Sequence, residues 1–246
     1  MRLTGICIVF LLFGSLPAAV GQIDSVAVYL QRIKAEPEDS LRLQYAETVL
    51  AFLQRTEFGS YRTEAPVQYL GYKKAADGDM ELYSWVVPLQ EGQAFYNFFR
   101  LKNGQDYRVT SLPGTENREG NWLFYDLLPF RHQKQDYVAL FGWGQTRNSN
   151  RKAVLLAQFG PEGTISYNHP LMRKGKSRSA SLTFEYAKDG SMMLKHDRKG
   201  KRIIFDHLAP TDKKYEGYFM FYGPDASYDA LELKNGEWWY EENVKQ

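Results

Sequence analysis

The sequence predicts a mainly β protein: an antiparallel, multi-stranded meander of barrel or sandwich type, with a two-helix hairpin at its N-terminal end. Aromatic residues make up 15% of the 246 residues, and aromatic side chains favour the pleated surface of a strand. Short apolar runs are also separated by dipeptides such as Asn103-Gly104, Asp189-Gly190 and Asn235-Gly236. These dipeptides accept the positive φ angles of two-residue hairpin turns.

Two helices are predicted before the strands, over residues 24–33 and 37–55. Acidic residues crowd the first turn of the second helix, where the helix dipole favours negative charge. We interpret the pair as a hairpin packed on the sheet, and the alternative is an amphipathic helix that binds a partner. Apolar side chains recur at helical spacing at Val26, Tyr29, Leu30 and Ile33, and at Leu43, Ala46, Leu50 and Leu53.

From residue 67 onward, apolar and aromatic runs alternate with turn residues, which predicts strands. Because no helical stretch separates these runs, neighbouring strands are expected to be antiparallel. The polar segment 144–152 is predicted to form a loop. The predicted strands are 67–74, 80–88, 94–102, 105–111, 122–128, 137–143, 152–159, 164–167, 180–186, 191–196, 201–207, 218–222, 228–234 and 237–241.

The first residues are typical of a secretory signal peptide. Arg2 supplies the positive charge, residues 6–16 form an apolar run of signal-peptide length, and Ala19 and Gly21 are small residues at the cleavage positions. We expect a signal peptide over 1–21, a helical hairpin over 22–57 and an antiparallel β domain over 58–246. No later stretch is long and apolar enough to span a membrane. The expected location is therefore periplasmic or extracellular, without a transmembrane span after signal removal.

Composition and the absence of linear motifs narrow the function. The one cysteine, Cys7, lies in the predicted signal peptide, so disulfides, thiolate metal sites and a cysteine nucleophile are not expected in the mature chain. The formal charge of +2 argues against a nucleic-acid partner, which needs a concentrated basic patch. Linear motifs for zinc hydrolysis, a nucleophilic serine, phosphate binding and dinucleotide binding do not occur. We therefore predict no cofactor and no catalytic residue, and favour a protein that is not an enzyme.

The last predicted hairpin supplies one candidate ligand-binding residue, Trp239. A turn at Asn235-Gly236 places Trp239 on a face with Glu232, Lys234 and Glu237. A flat apolar ring on such a face can stack on a sugar or a peptide. The alternative is that another element of the fold covers it.

Three aspartates, Asp206, Asp225 and Asp229, are the other candidate ligand-binding residues. They are the carboxylates from which a glycoside hydrolase pair would be drawn. Asp225 and Asp229 also start a calcium-loop pattern, but Ala230 and Gly236 stand where that loop needs glycine and glutamate. A turn in which the Asp225 side chain bonds backbone amides is therefore the alternative, and no metal ligand is predicted.

Four segments together resemble uncharacterised exported proteins of Bacteroidota. They are 137–143 (YVALFGW), 148–152 (NSNRK), 205–210 (FDHLAP), and 223–225 (GPD) with 228–231 (YDAL). The resemblance covers the chain from residue 57 to its end. It implies a compartment and a shared fold, without an activity or a catalytic residue to carry over.

The sequence thus favours an exported, non-catalytic protein that binds a glycan or peptide or acts in cell-envelope assembly. Two alternatives stay open. One is a secreted hydrolase that uses Asp carboxylates, and the other is a calcium-stabilised β module.

Overall fold

The structure is a computed structural model that describes residues 18–61, 66–112, 121–197, 199 and 201–245, without the side chains of 18–23 and 162. The predicted signal peptide falls mostly outside the described residues, and residues 18–21 begin the first helix. The helices are α1 (Ala18–Ala35) and α2 (Asp39–Arg55). Neither combines the length and apolarity needed to cross a membrane, as far as the described part of each extends.

Fifteen strands follow the helices in the part of the chain that the structure describes. They are β1 (Gly71–Lys74), β2 (Met80–Leu89), β3 (Gly92–Leu101), β4 (Asp106–Ser111), β5 (Leu123–His132), β6 (Gln135–Gln145), β7 (Ser149–Phe159), β8 (Ile165–Ser166), β9 (Met172–Lys174), β10 (Ser177–Ser179), β11 (Ser181–Ala187), β12 (Leu194–His196), β13 (Arg202–Pro210), β14 (Tyr222–Lys234) and β15 (Glu237–Glu241). Short 3-10 turns lie at Pro161–Gly163, Lys213–Tyr215 and Phe219–Phe221.

The strands form three sheets, numbered here in chain order. The first has the order β1-β2-β3-β4, the second β11-β7-β6-β5 with β8 beside β7, and the third β10-β9-β15-β14-β13-β12. Within the described residues the paired strands are antiparallel, except that β15 runs parallel to β9. The predicted fold class, mainly antiparallel β with two N-terminal helices, is therefore confirmed.

The helices pack on one face of the first sheet, and the second sheet packs on its other face. Leu50 of α2 shares an apolar cluster with Trp85 of β2. On the opposite side, Phe99 of β3 contacts Phe124 of β5, with ring centroids 5.9 Å apart. Both faces of the first sheet are therefore covered.

The second sheet is also covered on both faces, because the third sheet packs on its far side. Phe130 of β5 meets Trp238 of β15 with ring centroids 5.5 Å apart. Strands that are buried on both faces are almost continuously apolar, without alternating polar residues. This explains the composition of β6. Its residues Val138 and Leu140 face the first sheet, while Ala139 and Phe141 face the third.

Two predicted hairpins are confirmed in register. The turn at Asn235-Gly236 pairs Leu233 with Trp238, and both turn residues have positive φ, 53° and 79°. The hairpin expected across residues 199–200 pairs His196 with Ile203 and Leu194 with Phe205.

Other predictions about the strands were wrong. The strands flanking Asp189-Gly190 do not form a hairpin, because β11 pairs with β7 in the second sheet and β12 pairs with β13 in the third. Residues 218–222 form mainly a 3-10 turn. Most of the expected loop 144–152 is strand, because β6 runs to Gln145 and β7 begins at Ser149. Strands β9 and β10 were not predicted.

Candidate functional site

A pocket of about 320 Å³ opens where the C-terminal end of α1, the β1–β2 edge of the first sheet and β5 of the second sheet meet. Its volume falls within the range of small-ligand sites, which starts near roughly 300 Å³. We call it the aromatic pocket, because four of its lining residues are aromatic. The lining residues are Lys34, Tyr69, Gly71, Tyr72, Ser84, Trp85, Val86, Leu123 and Tyr125.

Tyr69, at the rim of the pocket, has an unfavourable backbone conformation. Its φ is 68°, and it is the third residue of a turn in which the Leu70 N–H donates to the Val67 carbonyl at 3.2 Å. Such a position normally takes glycine or asparagine, and another residue there costs about 1–2 kcal/mol. Tyr69 is 48% exposed, and the Lys34 ammonium lies 5.2 Å from its ring centroid. Strain of this kind is concentrated at binding and active sites.

Tyr125 enters the pocket from a β-bulge. Phe124 pairs with Gly142 and Asp126 with Phe141, so Tyr125 is the extra residue between two ladder pairs. Bulges redirect side chains and are common beside functional sites. The Tyr125 hydroxyl donates to the Leu194 carbonyl at 3.2 Å. Burial, followed by the neighbouring Asp126 carboxylate, raises the pKa of Tyr125 above its usual range, so the ring is held as a neutral phenol.

Tyr72 is held by a buried carboxylate behind the pocket. Glu81 is fully buried and accepts hydrogen bonds from the Tyr72 hydroxyl at 2.6 Å and the Tyr83 hydroxyl at 3.2 Å. Burial and the Glu81 contact raise the pKa of Tyr72 above its usual range. Next to it, Gly71 allows close strand packing, because a Cβ there would lie 2.5 Å from Ser84 Oγ. The Tyr72 and Tyr125 rings are thus fixed by their hydroxyl groups before any ligand arrives.

Trp85 contributes an unsatisfied donor. It is 1% exposed and stacks on Tyr96 with ring centroids 5.1 Å apart. Its indole Nε1 has no hydrogen-bond partner among the residues that the structure describes. A buried indole N–H usually finds an acceptor, and leaving it unpaired costs about 1–3 kcal/mol. Because this nitrogen is itself buried, the cost belongs to the packing behind the pocket.

An ionic cluster lies directly behind the pocket. Lys73 Nζ is 3.0 Å from Asp126 Oδ1, and His196 Nε2 is 3.5 Å from Asp126 Oδ2. The three side chains belong to β1, β5 and β12, which are edge strands of the first, second and third sheets. The cluster therefore links all three sheets along one side of the molecule.

The protonation of this cluster follows from its geometry. Contact with Asp126 raises the pKa of His196 against the opposing effect of burial, and the Asp197 carbonyl at Nδ1 adds to the rise. Burial tends to raise the pKa of Asp126, but the His196 and Lys73 contacts outweigh it and hold this pKa below its usual value. The two contacts to Asp126 thus form an electrostatic link between the sheets.

The structure places Trp239 on the outer face of the third sheet. It pairs across the ladder with Glu232, as the hairpin register predicted, and it is partly buried. The Arg173 guanidinium lies 4.9 Å from its ring centroid, and Glu237 bridges Arg173 and Arg178. The ring therefore already carries a cationic partner.

Asp206 and Asp225 bond to nearby groups of the chain. Asp206 accepts the Met193 N–H at 2.6 Å. Asp225 accepts both the backbone N–H and the hydroxyl of Ser227, at 3.0 and 2.7 Å. This second arrangement is the turn that the sequence offered as the alternative to a calcium loop. No group of three or more His, Cys, Asp or Glu side chains within the described ranges is arranged to hold a metal ion.

Asp229 is buried and fully engaged. Its side chain accepts the Tyr240 hydroxyl at 2.5 Å, the His207 Nδ1 at 2.9 Å and the Asn243 backbone N–H at 3.0 Å. Burial tends to raise the pKa of Asp229, but these hydrogen bonds together hold it below its usual value. The carboxylate thus ties the chain beyond β15 to the third sheet.

None of the four residues singled out from the sequence lines the aromatic pocket. The sequence reasoning missed the pocket because its lining comes from separated segments, and because a tyrosine with positive φ has no sequence signature. The available signal was Tyr69-Leu70-Gly71-Tyr72, in which two tyrosines flank a glycine at a predicted strand.

A larger cleft of about 1000 Å³ lies between the β2–β3 turn and the β6–β7 turn. Its amide groups contact one another: Gln93 Nε2 donates to Gln145 Oε1 at 3.2 Å, and Gln145 Nε2 donates to Asn150 Oδ1 at 2.9 Å. Lys188 Nζ in turn donates to the Arg147 carbonyl at 3.1 Å. The Gln93–Gln145 contact joins the first and second sheets, while Asn121 Oδ1, also in the lining of this cleft, has no hydrogen-bond partner among the described residues.

A scan against models of known protein families found no match, and a search of curated proteins found none either. The geometry of the aromatic pocket is therefore the basis on which a function is assigned.

Proposed function

We propose that this chain is an exported, non-catalytic binding protein that holds one sugar unit of a neutral glycan in the aromatic pocket. The observation that carries the proposal is the set of aromatic rings, two of them fixed by their hydroxyl groups, around a volume of about 320 Å³. The apolar faces of a pyranose ring stack on such side chains, which present a flat apolar body together with a polar tip.

The charge of the lining favours a neutral ligand. Among the described residues that line the pocket, Lys34 is the one with a charged side chain, and its ammonium already lies over the Tyr69 ring. These features favour a glycan over an acidic ligand, and a peptide aromatic side chain is the competing ligand.

The hydrolase alternative gains no support from the positions of the aspartates. Asp206, Asp225 and Asp229 each accept hydrogen bonds from the chain itself. A glycosidase needs one carboxylic acid and one free carboxylate facing each other across a sugar-sized gap. The calcium alternative is weakened in the same way, because Ser227 already occupies the Asp225 oxygen.

The test is calorimetric titration of the full chain with neutral oligosaccharides and with short aromatic peptides. We expect an oligosaccharide to bind, and Tyr69→Ala to weaken binding by about tenfold, or ~1.4 kcal/mol. Trp239→Ala and Tyr218→Ala are matched controls that remove partly exposed aromatic rings elsewhere, and they should bind as the unaltered chain does. Loss of binding in Trp239→Ala with none in Tyr69→Ala would move the site to the third sheet. Binding of peptides alone, or release of new reducing ends from the glycan, would overturn the proposal.

A further inference from the structure

The segment 211–221, between β13 and β14, carries an exposed apolar patch that the aromatic pocket does not use. Exposure falls along four consecutive side chains: Tyr218 62%, Phe219 49%, Met220 39% and Phe221 36%. The other large apolar side chains that are exposed in the described part of the chain are single residues: Val28, Tyr69 and Leu112. Single exposed apolar residues are ordinary, whereas a contiguous patch marks an interaction surface. We call 211–221 the aromatic loop.

The aromatic loop is held in shape by its own contacts. The Thr211 N–H donates to the Phe221 carbonyl at 3.0 Å and closes the loop. The Gly217 N–H donates to the Tyr222 hydroxyl at 3.0 Å, and the Tyr215 and Phe221 rings stack with centroids 4.2 Å apart. The exposed side chains are therefore presented by an ordered backbone, so binding through them costs little further ordering.

We infer that the aromatic loop inserts into the interfacial region of a lipid bilayer. The exposed fraction of the side chain is greatest at Tyr218 and declines toward Phe221. Tyr218 therefore forms the apex of the patch, by which we mean its most protruding part. A lipid bilayer can surround such a protruding part on all sides. Tyrosine is enriched at the membrane–water interface, and segments lying in that interface carry lysines beside their apolar residues. Lys213 and Lys214 occupy that place here.

The charges of the loop favour zwitterionic headgroups. Lys213 and Lys214 are balanced by Asp212 and Glu216, and Asp212 already caps the Lys214 N–H. Without a net charge, attachment would come from burying the apolar apex, with little attraction to an anionic surface. We therefore expect membrane binding of the loop to depend only weakly on salt concentration. This inference does not rest on the proposed glycan site.

The experiment places a reporter at the apex. In a Cys7→Ser background, Phe219→Cys gives the full chain a single thiol for an environment-sensitive dye, and Val28→Cys on α1 is the matched control. Both labelled proteins are mixed with phosphatidylcholine–phosphatidylethanolamine vesicles. Because residues 6–16 are apolar and can carry the chain onto vesicles, co-sedimentation alone does not decide the matter. We expect the dye at 219 to shift to the blue and to be quenched by a lipid-borne quencher, and the dye at 28 to do neither.

A second measurement tests the apolar mechanism. Adding Tyr218→Ser/Met220→Ser to the chain labelled at 219, checked for an unchanged melting temperature, should raise the lipid concentration needed for half of the blue shift about tenfold. Raising salt from about 0.1 M to 1 M, which shortens the Debye length from about 10 Å to 3 Å, should leave the dye response nearly unchanged. A dye at 219 that stays in water overturns the inference. A blue shift that grows with protein concentration without vesicles assigns the loop to a second copy of the chain, and loss of binding at high salt assigns it to a charged partner; either result also overturns it.

Discussion

Replacing Asp229 with alanine should lower the free energy of unfolding by about 3–5 kcal/mol, as breaking buried ionic contacts does. The residue is 1% exposed, and its carboxylate receives the Tyr240 hydroxyl, the His207 imidazole and the Asn243 N–H. Alanine removes the acceptor and leaves all three donors in place.

The three donors do not contribute equally to this cost. Each hydrogen bond to a charged group is worth about 1.5–3 kcal/mol, so a simple sum for three bonds reaches about 4.5–9 kcal/mol, most of it above the expected value. The His207 side chain is 46% exposed, so water replaces most of what it loses. The Tyr240 hydroxyl and the Asn243 N–H account for the bulk of the destabilisation. Asp229→Asn keeps one acceptor and should cost about half as much as Asp229→Ala.

Urea denaturation of the full chain measures this effect, with Asp225→Ala as the matched control. Asp225 also accepts two hydrogen bonds, both from Ser227, but in an exposed turn where water takes its place, so its loss should cost about 0.5–1 kcal/mol. A cost below about 1 kcal/mol for Asp229→Ala, or a cost equal to that of Asp225→Ala, would refute the structural role. Asp229 would then be available to a ligand, as the sequence alone suggested.

Three further predictions concern strain, close packing and pH. Tyr69→Gly relieves a positive φ of 68°, so the free energy of unfolding should be unchanged or rise by up to about 1 kcal/mol, while glycan binding weakens about tenfold as in Tyr69→Ala. A clear loss of stability would mean that Tyr69 has a structural role. Gly236→Ala should cost more than Gly104→Ala in urea denaturation, because a Cβ at 236 would lie 2.5 Å from a backbone carbonyl whereas 104 is open; equal costs would show that positive φ alone matters. The Asp126–His196 pair should stabilise the fold most between the ordinary pKa values of 3.8 and 6.5. Because the pKa of Asp126 is lowered in the folded state, its contribution to the free energy of unfolding decreases as pH falls. Because the pKa of His196 is raised, its contribution to the free energy of unfolding decreases as pH rises. Melting temperatures across pH should show both slopes, and Asp126→Asn should flatten them.

The sequence predicts a hairpin well where the turn residues themselves impose the geometry. Asn235-Gly236 accepts two positive φ angles without strain, and the register of β14 and β15 follows from it. The β5–β6 turn has the same geometry at Gln133 and Lys134, with φ of 49° and 68°, but neither residue favours it. Packing of the second sheet between its neighbours imposes that turn, so the ends of β5 and β6 were placed several residues short.

A turn dipeptide also does not say which strands pair. Asp189-Gly190 marks a change of direction, but the flanking strands go to different sheets. Which strands pair depends on which apolar faces are left uncovered after the sheets stack. Here Phe184 of β11, in the second sheet, packs against Phe205 of the third sheet, with ring centroids 4.8 Å apart. Such a contact between distant segments has no local sequence pattern.

The same reasoning separates the two candidate sites. Trp239 obeys every local rule: it lies in a regular hairpin, in the predicted register, with an arginine over its ring. The aromatic pocket departs from local rules twice, through the positive φ of Tyr69 and the bulge at Tyr125. Each of these features costs free energy that the fold could avoid, and unfavourable local choices are expected where function requires them. Their convergence on one pocket favours it over the regular hairpin around Trp239 as the place where a ligand binds.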